Sequence, residues 1–504
     1  MSSNRIAVST LWQIASQITM ALLSAISVKF IAMGLSTELA GAYNSSYGYL
    51  QLFAILADFG LYAVSVREVS RAPEQSSVSG EHTRSDVLGA LIVLRLVIAI
   101  VSLGSALLIA WFVPAWRGSP LRVGIAVASL VPFFTLLAGV LRTVFQVQYK
   151  MHLVFIAEVA QRVLTTGLMA GVIFVGIRLS TDLQVFQYLL WVGVLGAVLL
   201  FLLSLVFAVR LTRIRPCFDR ILLASLFRRA MPYGVAFLCI ALYRQCDLTM
   251  IALLREDYAV QNAAYGFAAR IAEMSYLIPT FLLNSTLPEL ASRHDRGQNT
   301  ALLLGKTLFL LLILGSTSAI FSLVWATPIL QLLTTPAYLE TAGHPGADTA
   351  LRLLGIPMFL NGIVLFSFYT LLTKHEWKAL VSRMAVAVAL SITLNLFLIP
   401  RLGFVGAIDT SIIVHLFLVA VLLPVTLRSL PLSFPLSYGI RWLFFTLVLA
   451  ILLHLSAPLL TSISSILLGL GIAIVCVPAL AFLLGFHRLS VPHKALSREG
   501  GINI

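Results

Sequence analysis

The chain has 504 residues, of which 60% are hydrophobic and only 11% are charged, with a mean hydropathy of +0.99. That composition leaves too few polar side chains to wet the surface of a soluble protein of this length, so it belongs in a membrane. The formal charge of +14 is mostly loop arginine and lysine and is weak evidence for nucleic-acid binding.

A helix rises about 1.5 Å per residue and must cross about 30 Å of hydrocarbon, so each span needs about twenty apolar residues. Fourteen segments qualify, at roughly 12–32, 40–62, 88–113, 121–142, 153–177, 185–209, 231–254, 262–286, 302–326, 350–373, 379–399, 403–427, 440–458 and 463–486. Their runs are continuously apolar rather than alternating, which selects helices over a barrel. The first segment follows a start containing only Arg5 and is too long for a signal-peptide core, so it is read as retained. Between spans, the inner loops at roughly 63–87 and 210–230 and the outer loop at roughly 327–349 leave no room for a folded catalytic domain. The basic stretch 210–230 suits either a helix lying at the headgroup surface or an ordinary charged linker.

Short loops set the orientation. One side collects Arg67, Arg71, Arg84, Arg142, Lys150, the cluster Arg210, Arg213, Arg215, Arg220, Arg228 and Arg229, then Arg293, Arg296, Lys374, Lys378, Arg428, Arg488, Lys494 and Arg498. The other has little beyond Arg117, Arg122, Arg178, Arg255 and Arg401. Both termini are therefore expected in the cytoplasm. Trp111, Trp116 and Trp325 near outer ends, with Trp12, Trp377 and Trp442 near inner ends, fit aromatic belts. Cys217, Cys239, Cys246 and Cys476 show no metal-ligand spacing and read as packing or loop residues.

The chain also repeats itself. A shift of 218 positions carries Glu38, Tyr47 and Gly48 onto Glu256, Tyr265 and Gly266, and sets Lys29 opposite Asp247. A further drift of about one helical turn brings Glu68 and Arg71 onto Glu289 and Arg293. Two related halves with polar sites between them are a recurring transporter design.

Charges inside spans cost at least about 2.5 kcal/mol each at mid-membrane and rarely face lipid. Lys29, Asp58, Arg244, Asp247, Arg270 and Glu273 lie on the first, second, seventh and eighth spans, and are candidate cavity residues. The three cations suit an anionic ligand such as a diphosphate, because the guanidinium fork matches phosphate oxygens. Spacing allows another reading: Arg244 with Asp247, Arg270 with Glu273, and Glu158 with Arg162 are three or four residues apart and each pair can neutralise itself on one helix face. For Glu158 and Arg162 the structural pair is preferred. Arg95, Arg352 and Arg441 sit near span ends and are expected to snorkel.

Three stretches resemble a known family: GAYNSSYGYLQLFAILADFGL (41–61) with VREVSR (66–71), AAYGFAARIAEMSYLIP (263–279) with LPELASR (287–293), and LNLFLIPRLGFVGAIDT (394–410). They look like the polysaccharide or O-antigen flippases of the MATE-like MOP superfamily. The resemblance implies an all-α integral membrane fold, with two pseudo-symmetric six-helix lobes around a central cavity and two further C-terminal helices. The corresponding divisions are an N-terminal lobe at 1–211, a cytoplasmic linker at 212–230, a C-terminal lobe at 231–428, two helices within 429–486, and a cytoplasmic tail at 487–504. It also implies movement of a lipid diphosphate-linked oligosaccharide from the inner to the outer leaflet by alternating access, in a cell inner membrane. Expected partners are that substrate, membrane lipids and polysaccharide assembly proteins. No cofactor or metal is expected beyond coupling to H+ or Na+.

Where the family usually has a small apolar residue, this chain has Asp409, with His415 less than two turns deeper and Asn395 on the preceding span. These three form a candidate coupling-ion site; a wet outer-end carboxylate and a hydrogen-bonded histidine are the plainer reading. Lys29 and Asp247 form a candidate gate pair at the outer end. Rival functions are a peptidoglycan-precursor (lipid II) flippase, a multidrug or cation antiporter of the same fold, for which cations are too prominent, and a membrane glycan polymerase or ligase. The last has only Glu340, His344 and Asp348 on its largest outer loop. Phosphate-loop and HExxH motifs are absent from the sequence.

Overall fold

A computed structural model describes residues 2–73, 82–176, 180–295, 300–341, 343–373, 376–429 and 436–486. Arg178, Arg296, Lys374, Arg488, Lys494, Arg498 and the expected tail at 487–504 lie outside the described residues. The helices are α1 (Ser2–Gly34), α2 (Thr37–Asp58), α3 (Leu61–Arg71), α4 (Arg84–Phe112), α5 (Pro120–Ala128), α6 (Leu130–Val147), α7 (Met151–Phe174), α8 (Asp182–Leu211), α9 (Arg220–Gln245), α10 (Asp247–Leu254), α11 (Tyr258–Asp295), α12 (Ala301–Val324), α13 (Ala326–Leu333), α14 (Ala347–Thr373), α15 (Trp377–Leu402), α16 (Phe404–Ser429), α17 (Leu436–Ser456) and α18 (Ile463–Leu483). Among the described residues the only β pairing is an isolated bridge between Thr341 and His344.

Every expected span falls on one helix or on a helix pair. Among the described residues eleven helices, with α5 and α6 taken as one, are long and apolar enough to cross a membrane. The expected span 12–32 lies on α1, whose stretch Thr19–Gly34 is apolar, while the spans 40–62 and 262–286 lie on α2 and α11, which do not meet that test. Polar residues explain the shortfall of both: α2 carries Asn44, Ser45, Ser46 and Gln51, and α11 carries Gln261, Asn262, Arg270 and Glu273. The count of fourteen therefore includes α2 and α11, which hydropathy alone does not qualify.

Several boundaries correct the sequence reading. The span expected at 40–62 breaks at Phe59 and Gly60, both left-handed (φ 39° and 69°), and the first part of the expected inner loop is α3. Gly60 is required there twice over, by its positive φ and because a Cβ would lie 2.6 Å from the backbone nitrogen of Gly234. The expected 210–230 connection lies outside the helices only over 212–219. From Arg220 the chain runs straight into α9, whose first N–H groups are capped by the Asp219 carboxylate (2.8 Å to Ile221, 3.4 Å to Leu222), so no separate surface helix forms. Trp116 and Trp325, expected in aromatic belts, are buried at 1% and 2% exposure. Their indole N–H groups donate to the carbonyls of Ala252 (2.8 Å) and Leu453 (3.0 Å).

Packing gathers the residues into two compact units, the first made of 1–268, 333–350 and 377–414, the second of 269–332, 351–376 and 415–504. In the first unit, Leu61 and Val64 of α3 pack with Leu91 of α4, Val140 of α6 and Leu226 of α9. In the second, Phe309 and Ile313 of α12 pack with Trp325, with Phe445 and Leu449 of α17, and with Ile466 and Ala473 of α18. The outward side chains of α18 remain apolar, with Ile474, Val475 and Leu483 at 74%, 69% and 80% exposure, as expected of a helix solvated by hydrocarbon.

The 218-residue shift has a physical counterpart in the first unit. Asn44 of α2 donates through Nδ2 to the carbonyl of Asn262 of α11 at 3.1 Å, and these residues are 218 apart. A Cβ on Gly41 would lie 1.6 Å from the carbonyl oxygen of Ala259, also 218 positions on. Asn262 answers with Nδ2 donated to Ser45 Oγ and to the Leu248 carbonyl, each at 2.8 Å. Residues that touch their own equivalents lie on the axis of a two-fold relation, so α2 and the start of α11 cross where such an axis passes. Gly41→Ala is expected to force that crossing apart at a cost of about 1–3 kcal/mol or more. The check is thermal unfolding of the purified variant, which should melt several degrees below the parent.

Candidate functional site

Tyr47, Gln51 and Asp58 recur on α2 at intervals of four and seven, and Phe237 and Arg244 on α9 at seven, so each set occupies one helix face. In the first unit these faces, with Thr135 of α6 and Gln245 of α9, enclose a cavity of about 480 Å³. Its polar groups are one guanidinium, one carboxylate, two amides and two hydroxyls, set among Leu50, Ile55, Val131, Leu136 and Ile240. Such a wall offers charged and neutral donors for phosphate oxygens, and aromatic and amide surfaces for sugar rings.

The carboxylate is not available as a simple anion. Arg95 of α4 is 1% exposed, and its guanidinium donates to the Asp58 carboxylate and, at 3.5 Å, to the Ala57 carbonyl. Rather than snorkelling as expected, Arg95 is held inside by its partner. Counting Arg244, Asp58 and Arg95 together gives a formal local charge of +1, since two cations stand against one anion. Arg352 reaches Thr327 Oγ1 (2.7 Å), and the guanidinium of Arg441 lies 5.5 Å from the ring of Tyr438.

The remaining expected residues are dispersed. Lys29 of α1 donates through Nζ to the Thr334 carbonyl. Nearby, Tyr338 packs edge-on against Phe267 (4.9 Å) and donates its hydroxyl to the Leu35 carbonyl (3.0 Å). Asp247, the first residue of α10, is buried and accepts from Tyr265 Oη (2.8 Å), Asn395 Nδ2 (3.1 Å) and the Cys246 thiol (3.8 Å). The hydrogen bonds described for Lys29 and Asp247 run to different partners, and Asn395 is joined to Asp247. Asp409 is half-buried in the first unit and His415 is buried in the second. Arg270 is half-buried and Glu273 exposed on the part of α11 that belongs to the second unit, and neither lines the 480 Å³ cavity. Glu158 accepts from Arg142 Nη1 (2.9 Å), and Arg162 donates to Ser24 Oγ (2.9 Å), so both reach beyond their own helix.

Sequence comparison assigns the chain. The profile of the family described as "Polysaccharide biosynthesis protein" matches residues 6–294, more than half its length. The chain belongs to the polysaccharide biosynthesis protein family. No curated protein matches its sequence. Among solved structures, this family member is similar to a lipid II flippase MurJ in an inward closed conformation, with TM-score 0.65 and 14% identity, covering 98% of this chain and 99% of that one. It is also similar to an inward-facing multidrug resistance MATE family transporter of the MOP superfamily (TM-score 0.62, 13% identity, 82% and 95% covered). A third is a MOP superfamily transporter from Pyrococcus furiosus, described as having a binding pocket of reverse polarity (TM-score 0.55, 15% identity, 82% and 93% covered). At these identities the likeness establishes a fold shared with these transporters.

Of the residues lining this cavity, Asp58 and Arg244 stand out in the sequence as charges within spans, whereas Gln51, Thr135 and Gln245 do not, nor does the pairing of Arg95 with Asp58. The four-residue spacing of Tyr47 and Gln51 was a readable signal. Arg95 gave none, because only the packing of α4 on α2 shows that its partner is Asp58. The pair is asymmetric, with side-chain exposures of 2% for Arg95 and 36% for Asp58. Asp58→Leu strands a buried cation and is expected to cost about 3 kcal/mol or more, whereas Arg95→Leu leaves an anion that cavity water can solvate and costs less. The double variant should regain stability relative to Asp58→Leu; strictly additive melting temperatures across the four proteins would rule this out.

Proposed function

We propose that the protein is a flippase that carries a lipid (polyprenyl) diphosphate-linked oligosaccharide from the cytoplasmic to the outer leaflet for polysaccharide, O-antigen or exopolysaccharide assembly. The observation that carries the proposal is Arg244 in the wall of the 480 Å³ cavity, with the one carboxylate of that wall engaged by Arg95. A low-dielectric wall of this polarity attracts phosphate and repels cationic drugs. Membership of a polysaccharide biosynthesis family supports a glycan cargo, and the shared fold supports transport rather than catalysis.

In this reading the protein sits in the cell inner membrane with both termini cytoplasmic, and lobes at 1–211 and 231–428 alternate in exposing the cavity. The polyprenyl tail stays in lipid while diphosphate and adjoining sugar enter. Arg244 forks two phosphate oxygens. The amides of Gln51 and Gln245 bond sugar hydroxyls, and Tyr47 and Phe237 offer ring faces. A lipid II flippase is the second reading, favoured by the near-complete coverage of the MurJ structure. Both cargoes present a diphosphate, so the cavity charge serves either.

Removal of the guanidinium in Arg244→Ala is expected to slow transport about tenfold or more, the equivalent of one charge-assisted hydrogen bond. Leaflet-resolved assay of a lipid diphosphate oligosaccharide in proteoliposomes is the measurement, and an unchanged rate would remove the cavity role. Running lipid II in the same vesicles separates the two readings, because the proposal expects the oligosaccharide lipid to move faster.

A further inference from the structure

The first three turns of α9 carry a basic groove that the transport cavity does not use. Arg220, Ala224 and Arg228 recur every four residues on one face, with Ser225 and Arg229 beside them, and together they bound a space of about 510 Å³. The small side chains of Ala224 and Ser225 leave room between the guanidiniums. Arg220 and Arg228 are exposed, while Arg229 is drawn aside by an ion pair with Glu68 of α3. Over residues 210–230 there are six arginines and one acid, Asp219, a formal sum of +5. That acid caps the first N–H groups of α9 and lies 3.6 Å from His82 Nε2, and six arginines outnumber it.

The surroundings fix the depth of this surface. α9 is long and apolar enough to cross a membrane, and the groove lies at its first turns, the end that a spanning helix presents to headgroups. Phe218 and Ile221 stand 72% and 81% exposed beside Arg220. Two large apolar side chains next to fixed cations match a boundary with phosphate on one side and acyl chain on the other. The preceding strand of chain is held in place, because Ser85 Oγ donates to the Arg213 carbonyl at 2.9 Å. A Cβ on Gly89 of α4 would lie 1.7 Å from the carbonyl oxygen of Arg215.

We propose that this groove binds the headgroup phosphate of an anionic membrane phospholipid, with Arg220 and Arg228 as its donors and Phe218 and Ile221 against the acyl chains. Charge complementarity selects an anionic over a zwitterionic lipid, and the apolar pair selects a lipid over a free anion.

The test is native mass spectrometry of the full-length detergent-purified protein with phosphatidylglycerol, phosphatidylcholine or inorganic phosphate. The parent should take up phosphatidylglycerol in preference to phosphatidylcholine, and the Arg220→Gln/Arg228→Gln protein should bind it about tenfold more weakly. Arg220→Lys/Arg228→Lys keeps the charge without the fork and should fall between them. Phe218→Ser/Ile221→Ser should weaken the lipid and leave the parent's weak response to phosphate unchanged. Equal uptake of both lipids by the parent, undiminished phosphatidylglycerol binding in the glutamine variant, or displacement of the lipid by equimolar inorganic phosphate would each overturn the assignment. Both arginines are exposed, so their replacement leaves the packed core intact, and the lysine variant carries the same test should the glutamine variant fail to purify.

Discussion

An ion inside hydrocarbon must meet a counter-ion, a set of hydrogen bonds or a wet cavity, because bare charge there costs several kcal/mol. That rule organises the first unit. Arg95 is tolerated at 1% exposure through Asp58; Asp247 is tolerated through Tyr265, Asn395 and Cys246; Arg244 opens onto the cavity. Of Arg95, Asp247 and Arg244, only Arg244 lines a space that a ligand can enter without dismantling the fold.

The close crossing of α2 and α11 depends on small residues and amides acting together. Gly41 allows backbones to approach, and once they do, Asn44 donates to the Asn262 carbonyl and Asn262 to the Ser45 hydroxyl, contacts that an apolar pair would not specify. The polar content that lowers the hydropathy of both helices is therefore the source of their mutual fit. It also explains why a transmembrane criterion built on apolarity passes over these two helices.

The helical architecture was legible because hydrophobic runs of about twenty residues carry their own length requirement. Breaks within those runs were less so. Phe59–Gly60 and Cys246 interrupt spans without proline, and their signal lies in contacts with Tyr233, Gly234 and Asn395 that sequence order does not disclose. At the site, Asp58 and Arg244 were legible as charges in apolar surroundings. The hydrogen bonds of Lys29 to Thr334 and of Asp247 to Tyr265 and Asn395 were not legible, since equivalence under a repeat matches positions in the chain and not side-chain directions. Trp116 and Trp325 fail as belt residues for a related reason: a tryptophan near a helix end satisfies its N–H equally well with a buried carbonyl as with interfacial water.

One helix links the two cationic surfaces. From Arg220 to Arg244, α9 is continuous over 24 steps, a rod of about 36 Å. Its one soft point is Pro232, which cannot donate to the Arg228 carbonyl four residues earlier. Rotation or tilt on the Arg244 side must therefore either pass through this joint or carry the basic end with it. A load at the bilayer surface and a load in the cavity then act on opposite arms of the same lever, and whatever one ligand does to the other's affinity is returned in equal measure.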